Sequence, residues 1–183
     1  STQMVKRPNR MTALLEAGSW DLILLDEAHH ARRRDFLNLR RYRPNHLLQL
    51  MEKLKEHAKS VLLLTATPMQ IHPVEVWDLL RLLGLPGGWQ DRNKFLAYFV
   101  QSTVGFDEME WEIVLPLLRE AVSEWGWNAE WENAARHDLG LVSYQRVKAA
   151  VDGTRNTVMN LNDSERSWFI EAMRRHNPVA SLT

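Results

Sequence analysis

The chain has 183 residues, of which 45% are hydrophobic and 25% charged, and its formal net charge is zero. This composition is typical of a soluble globular protein with one or two domains. The absence of cysteine excludes disulfides and thiolate metal sites and agrees with a cytoplasmic location. No apolar run approaches the roughly 20 residues of a membrane span, so we expect no membrane partner.

The charges are unevenly distributed along the chain. Residues 1–60 carry 12 Lys and Arg against seven Asp and Glu, whereas residues 101–135 carry one against eight. Such asymmetry allows a local phosphate-facing surface in a chain without net charge. Two solvated faces of opposite sign explain the charges equally well.

Two short apolar runs, at residues 22–25 and 61–64, predict the strands of an α/β fold. Their continuous apolarity is typical of parallel strands that are buried on both faces. Residues 45–57 between them have the apolar spacing of an amphipathic helix. The resulting strand–helix–strand unit predicts an α/β region over residues 1–85.

Residues 86–183 are predicted to form a mainly helical region. A helix that precedes this region begins at Pro73 and ends before Gly84, and Asp91 caps the first helix within it, which runs to about residue 101. Further helical stretches cover residues 107–125, 128–151 and 163–176. Residues 157–159 are a weak strand candidate.

Polar residues follow both predicted strands. Asp26 and Glu27 come after the first strand, and Thr65 and Thr67 come after the second. Parallel strands bring these positions to one rim of the sheet, as neighbours or one strand apart. One carboxylate can hold Mg²⁺ through water, and the second can orient or deprotonate a water that attacks a γ-phosphate. The rim therefore predicts a nucleotide site.

These residues resemble motifs of a known family. Asp26-Glu27-Ala28-His29 is similar to motif II of the superfamily-two helicases, and residues 64–68 are similar to motif III. The continuation through Gln70 and residues 76–80 (Val-Trp-Asp-Leu-Leu) resembles the Snf-type (switch/sucrose-nonfermenting) branch. Ile71 stands where many eukaryotic remodellers have Asn, which favours a prokaryotic member.

The resemblance implies part of the first RecA-like lobe, with its parallel sheet, of a motor that uses ATP and Mg²⁺. Residues 86–183 would be a helical extension or insertion of the same lobe. Asp26 would hold Mg²⁺ and Glu27 would be the catalytic base. His29 would link the nucleotide site to the second lobe or to motif III. The residues implied in coupling hydrolysis to translocation on double-stranded DNA are Thr65, Ala66, Thr67 and Gln70.

The phosphate-binding loop GxxxxGK[ST] is absent from the sequence. Its lysine and backbone amides are needed to hold a triphosphate. We therefore expect the chain to be a fragment of the motor that is inactive by itself.

Several arginines follow motif II and suggest a nucleic-acid contact. Arg32, Arg33 and Arg34 come first, and three more arginines lie at residues 40–43. Guanidinium groups bind phosphates well. A solvated loop, or arginines that pair with the acidic helices after residue 105, explains the run almost equally well. Ser1 and Thr2 resemble motif Ib, which contacts the DNA backbone.

The sequence also allows other interpretations. Within the motor class, the chain could belong to a DEAH-type RNA helicase or a restriction translocase subunit. A metal-dependent hydrolase that uses Asp26, Glu27, His29 and His30 would bind Zn²⁺ or Mn²⁺. A third alternative is a non-catalytic module whose helices bind protein partners.

Overall fold

The computed structural model describes residues 8–35, 41–66 and 72–182, with side chains from residue 12 to residue 181. The chain forms two compact units, Ser1–Leu85 and Pro86–Thr183. Within the described ranges, no helix is long and apolar enough to cross a membrane.

The first unit is an α/β structure around two parallel strands. Strand β1 pairs directly with strand β2, with Leu24 opposite Leu62. The predicted parallel strands and the helical region that follows them are confirmed. The elements are α1 (Pro8–Glu16), β1 (Trp20–Leu25), α2 (His46–Leu54), β2 (Ala58–Leu63) and α3 (Pro73–Leu83).

One face of this sheet packs against helices α2 and α3. Ile23, Leu25, Val61 and Leu63 contact a core that includes Leu47 of α2. The prediction of strands that are buried on both faces is wrong in this structure, since the described helices cover one face. The leucines that alternate with these core residues along the chain are 43–54% exposed: Leu22, Leu24, Leu62 and Leu64.

Local signals set the ends of the helices. The Asn45 side chain accepts a hydrogen bond from the backbone N–H of Leu48 and so caps α2. Pro73 occupies the first turn of α3, and Gly84 ends this helix with a φ of 91°, a left-handed conformation that favours glycine. Both ends of α3 lie where the sequence predicts them.

The second unit is helical in its described part. Residues 157–159, the weak strand candidate, belong to a helix. The predicted helix at 128–151 forms but is kinked at Gly140, whose φ is 72°. The helices are α4 (Arg92–Gln101), α5 (Trp111–Trp125), α6 (Ala129–Asp152), α7 (Arg155–Met159), α8 (Asp163–Arg175) and α9 (Pro178–Leu182).

Candidate nucleotide-binding rim

The chain turns sharply where β1 ends, and this turn carries the two acidic residues. Asp26 and Glu27 are both exposed, and Asp26 Oδ1 accepts a hydrogen bond of 2.9 Å from the backbone N–H of Glu27. Glu27 has φ 52° and ψ 49°, and among the described residues it alone has a positive φ without being glycine. Such a conformation costs about 1–3 kcal/mol and is found preferentially at functional sites.

The residue after β2 is bonded directly to this turn. The backbone N–H of Leu64 donates to the carbonyl of Leu25 at 2.9 Å, and the N–H of Ala28 donates to the carbonyl of Leu64 at 2.8 Å. Of the two arrangements that the sequence allows, the structure therefore has the two strand ends as immediate neighbours.

His29 connects the two strand ends through its side chain. Its Nδ1 lies 3.1 Å from Thr65 Oγ1 and 3.3 Å from Glu27 Oε2. His29 and Thr65 are half-buried, whereas the Glu27 side chain is 52% exposed. The imidazole thus lies between the hydroxyl of half-buried Thr65 and the solvent-exposed carboxylate of Glu27.

The described part of the rim is suited to a hydrated cation. Asp26 and Glu27 present adjacent exposed carboxylates, and Mg²⁺ keeps most of its water ligands when one or two carboxylates bind it. Within the described ranges, no three His, Asp or Glu side chains are grouped to hold a metal. The alternative of a metal-dependent hydrolase therefore gains no support from the geometry.

Some of the predicted site residues lie outside the described residues, namely Ser1, Thr2, Thr67 and Gln70. Ala66 is exposed at the end of the described rim. The arginines after motif II differ in their exposure to solvent. Arg32 and Arg34 are exposed, whereas Arg33 is 2% exposed.

Arg33 forms a buried ion pair that the sequence interpretation missed. Its Nε and Nη2 each donate to a carboxylate oxygen of Asp78 at 2.7 Å, and Asp78 is fully buried in α3. Neither a solvated loop nor pairing with the acidic helices after residue 105 describes Arg33. The guanidinium of Arg33 is therefore not exposed to a nucleic acid.

A polar network surrounds this ion pair. The Tyr42 ring lies 5.2 Å from the guanidinium carbon of Arg33, and the Tyr42 hydroxyl donates to Glu52 at 2.6 Å. Glu52 also pairs with Arg81 of α3. Burial and the bond to Glu52 raise the pKa of Tyr42 above its ordinary value. Asp78, an acidic residue within the apolar stripe of α3, was the available signal in the sequence.

Comparison with known proteins places this arrangement in a family. The profile of the SNF2-related domain matches residues 2–151. The chain belongs to the SNF2-related domain family. The sequence prediction of a Snf-type helicase-like ATPase is confirmed at this level.

Curated relatives in the family are similar over half of the chain. RNA polymerase-associated proteins RapA from Yersinia enterocolitica, Yersinia pseudotuberculosis and Yersinia pestis are each 38% identical over 96 residues. The match covers 52% of this chain but 9% of each relative. The matched half of the chain thus corresponds to about a tenth of the length of these proteins.

Proposed function

We propose that this chain supplies motifs II and III to an ATP-driven motor that translocates on double-stranded DNA. The observation that carries the proposal is the rim itself. Two strand ends are joined by backbone hydrogen bonds, and the predicted catalytic base occupies a strained backbone position between them. Family membership supports ATP hydrolysis as the activity to which this rim contributes.

Each rim residue has a proposed role in this activity. Glu27 orients and deprotonates the attacking water, for which its exposed carboxylate is suited. Asp26 would hold Mg²⁺ through water, and the cation would neutralise phosphate charge. The His29–Thr65 contact offers a direct path from the nucleotide rim to motif III. Thr67, Gln70 and Ala66 complete the proposed coupling segment.

The remaining parts of the motor are proposals that rest on the sequence. The 183 residues contain no phosphate-binding loop, so we expect the isolated chain not to hydrolyse ATP. The names of the RapA relatives associate those proteins with RNA polymerase. We propose no polymerase contact for this chain, because the match covers only 9% of them. A protein partner for the helical second unit stays a prediction.

The test is the ATPase rate of the complete gene product, measured without nucleic acid and with single-stranded DNA, duplex DNA or RNA. We expect the strongest stimulation with duplex DNA. Glu27→Gln should abolish hydrolysis nearly completely, since the amide cannot accept the proton of water. Glu56→Gln is the matched control, because Glu56 is exposed and lies away from the rim.

Three results would contradict the proposal. Full activity of the Glu27→Gln protein would exclude this glutamate as the base, and stimulation by RNA alone would favour the RNA helicase alternative. Stoichiometric Zn²⁺ or Mn²⁺ in the purified protein would revive the metal-dependent hydrolase.

A further inference from the structure

The arginines after motif II lie on a small antiparallel pairing. Arg33 pairs with Pro44 in an isolated β-bridge. The backbone N–H of Arg34 donates to the carbonyl of Arg43 at 2.8 Å, and the N–H of Asn45 donates to the carbonyl of Arg32 at 2.9 Å. Residues 32–34 and 43–45 are therefore held side by side in an extended conformation.

Extended backbone sends successive side chains to opposite faces. Arg33 points inward to Asp78, and its neighbours Arg32 and Arg34 are exposed. Because Arg43 lies opposite Arg34 and is also exposed, these two guanidinium groups share the outer face. Like charges directly opposite each other on paired strands are destabilising unless a counter-ion lies between them.

Two acidic residues beside this pairing are engaged by other groups, and Asp35, next to Arg34, is also engaged. Asp78 pairs with Arg33, and Glu52 pairs with Arg81. In the described part of the chain, neither Arg32, Arg34, Arg41 nor Arg43 has an ion-pair partner. Residues 1–85 carry 13 Lys and Arg against nine Asp and Glu, so the unit as a whole also attracts anions.

We propose that Arg32, Arg34, Arg41 and Arg43 form one surface, the arginine face, that binds the phosphate backbone of a nucleic acid. A line of phosphates supplies the repeated negative charges that these guanidinium groups lack. The Asn45 Nδ2 donates to the carbonyl of His30 at 2.7 Å, which attaches the pairing to the motif II turn. This proposal rests on the proposed function and identifies a surface by which the motor contacts its track.

The test measures binding of the 183-residue chain, without nucleotide, to labelled duplex DNA and duplex RNA of about 20 base pairs at several salt concentrations. The arginine variant combines Arg32→Gln, Arg34→Gln and Arg43→Gln. The control combines Lys53→Gln, Lys94→Gln and Arg155→Gln, which removes the same charge from exposed positions elsewhere. Circular dichroism and thermal melting check that all three proteins fold alike.

The affinity falls as salt rises, and each lost phosphate contact reduces the magnitude of the slope of log affinity against log salt by about 0.9. We therefore expect the magnitude of the slope to decrease by nearly three in the arginine variant and to stay unchanged in the control. Equal binding to DNA and RNA supports the shared phosphate chemistry, and a preference for DNA assigns duplex DNA as the ligand.

Equal losses of slope in the two variants would overturn the proposal, because they would show an effect of net charge alone. An unchanged slope in the arginine variant would also overturn it. Tighter binding of polyglutamate than of either duplex would assign the face to an acidic protein segment instead. Since the assay contains no ATP, these results are independent of the hydrolysis test of the proposed function.

Discussion

Nδ1 of His29 and Oγ1 of Thr65 are 3.1 Å apart, although 36 positions separate the two residues in the chain. This contact joins the turn after β1 to the first polar residue after β2. A side-chain hydrogen bond at this point would let a change at the nucleotide rim alter the segment that follows Thr65.

A double-mutant cycle tests this link. His29→Ala and Thr65→Val each remove one partner, so their effects on the ATPase rate of the complete gene product should not be additive. We expect a coupling energy of about 1 kcal/mol, the size of one hydrogen bond. The pair His57→Ala and Thr65→Val is the control and should be additive. Additivity in the first cycle would show that the contact carries no coupling.

The strained backbone of Glu27 predicts opposite effects on stability and activity. Glycine adopts a φ near 52° without the steric cost of a side chain. Glu27→Gly should therefore raise the free energy of unfolding by about 1 kcal/mol while abolishing hydrolysis. Glu27→Gln should abolish hydrolysis without this gain. Urea unfolding measures the difference, and a less stable glycine variant would show that Glu27 is not strained.

The buried Arg33–Asp78 pair predicts a large loss when one partner is removed. Asp78→Asn leaves a buried guanidinium without its counter-charge, which costs about 3–5 kcal/mol. Arg33→Met with Asp78→Leu removes both charges and should restore most of the stability. Hydrogen exchange of peptides from α3, measured by mass spectrometry, reports the change locally. If the double variant is as unstable as the single one, the ion pair is not the cause.

The Arg33 variants also separate the two faces of the arginine segment. The double variant Arg33→Met/Asp78→Leu keeps Arg32, Arg34 and Arg43 in place. We expect its salt dependence of DNA binding to equal that of the unchanged chain, because Arg33 is buried. A reduced slope in this variant would place Arg33 among the phosphate contacts.

His176 predicts a pH dependence in the second unit. Its Nε2 accepts from the backbone N–H of Asn128 at 2.9 Å, and its Nδ1 contacts the carbonyl of Ala172 at 2.7 Å. Burial lowers the pKa of His176 below its ordinary value of 6.5, while the hydrogen bond to Ala172 and the charge of Glu132 act in the opposite direction. The neutral ring is therefore the form that the fold stabilises.

The stability of the second unit depends on pH because its folded and unfolded states bind different numbers of protons at His176. Between the lowered pKa of His176 and 6.5, the unfolded chain binds more protons than the folded chain. The contribution of His176 to the free energy of unfolding is complete above pH 6.5. It is lost as the pH falls from 6.5 to the lowered pKa. The stability difference between the unchanged chain and His176→Gln should shrink on acidification, as measured by urea unfolding at each pH. A constant difference would contradict a lowered pKa.

Much of the fold could be predicted from the sequence because the signals that start and end the helices act locally. Proline at the start of α3 and glycine at its end, together with the side chain of Asn45 before α2, act within one helical turn. The kink at Gly140 was not predicted, since the apolar spacing on both sides of it is helical. Thr157 and Val158 are β-branched, yet residues 157–159 lie in helix α7, in which Val158 is buried.

The sequence by itself determined the family and the acidic and hydroxyl groups of the rim, because motif spacing depends only on the order of residues. Only the tertiary structure decided that β1 and β2 are neighbours, that Glu27 is strained, and that Arg33 faces inward while Arg32 and Arg34 face outward. The sequence alone cannot distinguish Arg32, Arg33 and Arg34, because they are three identical residues in a row. Burial beside Asp78, which follows Arg33 by 45 residues, is what distinguishes one of them from the others.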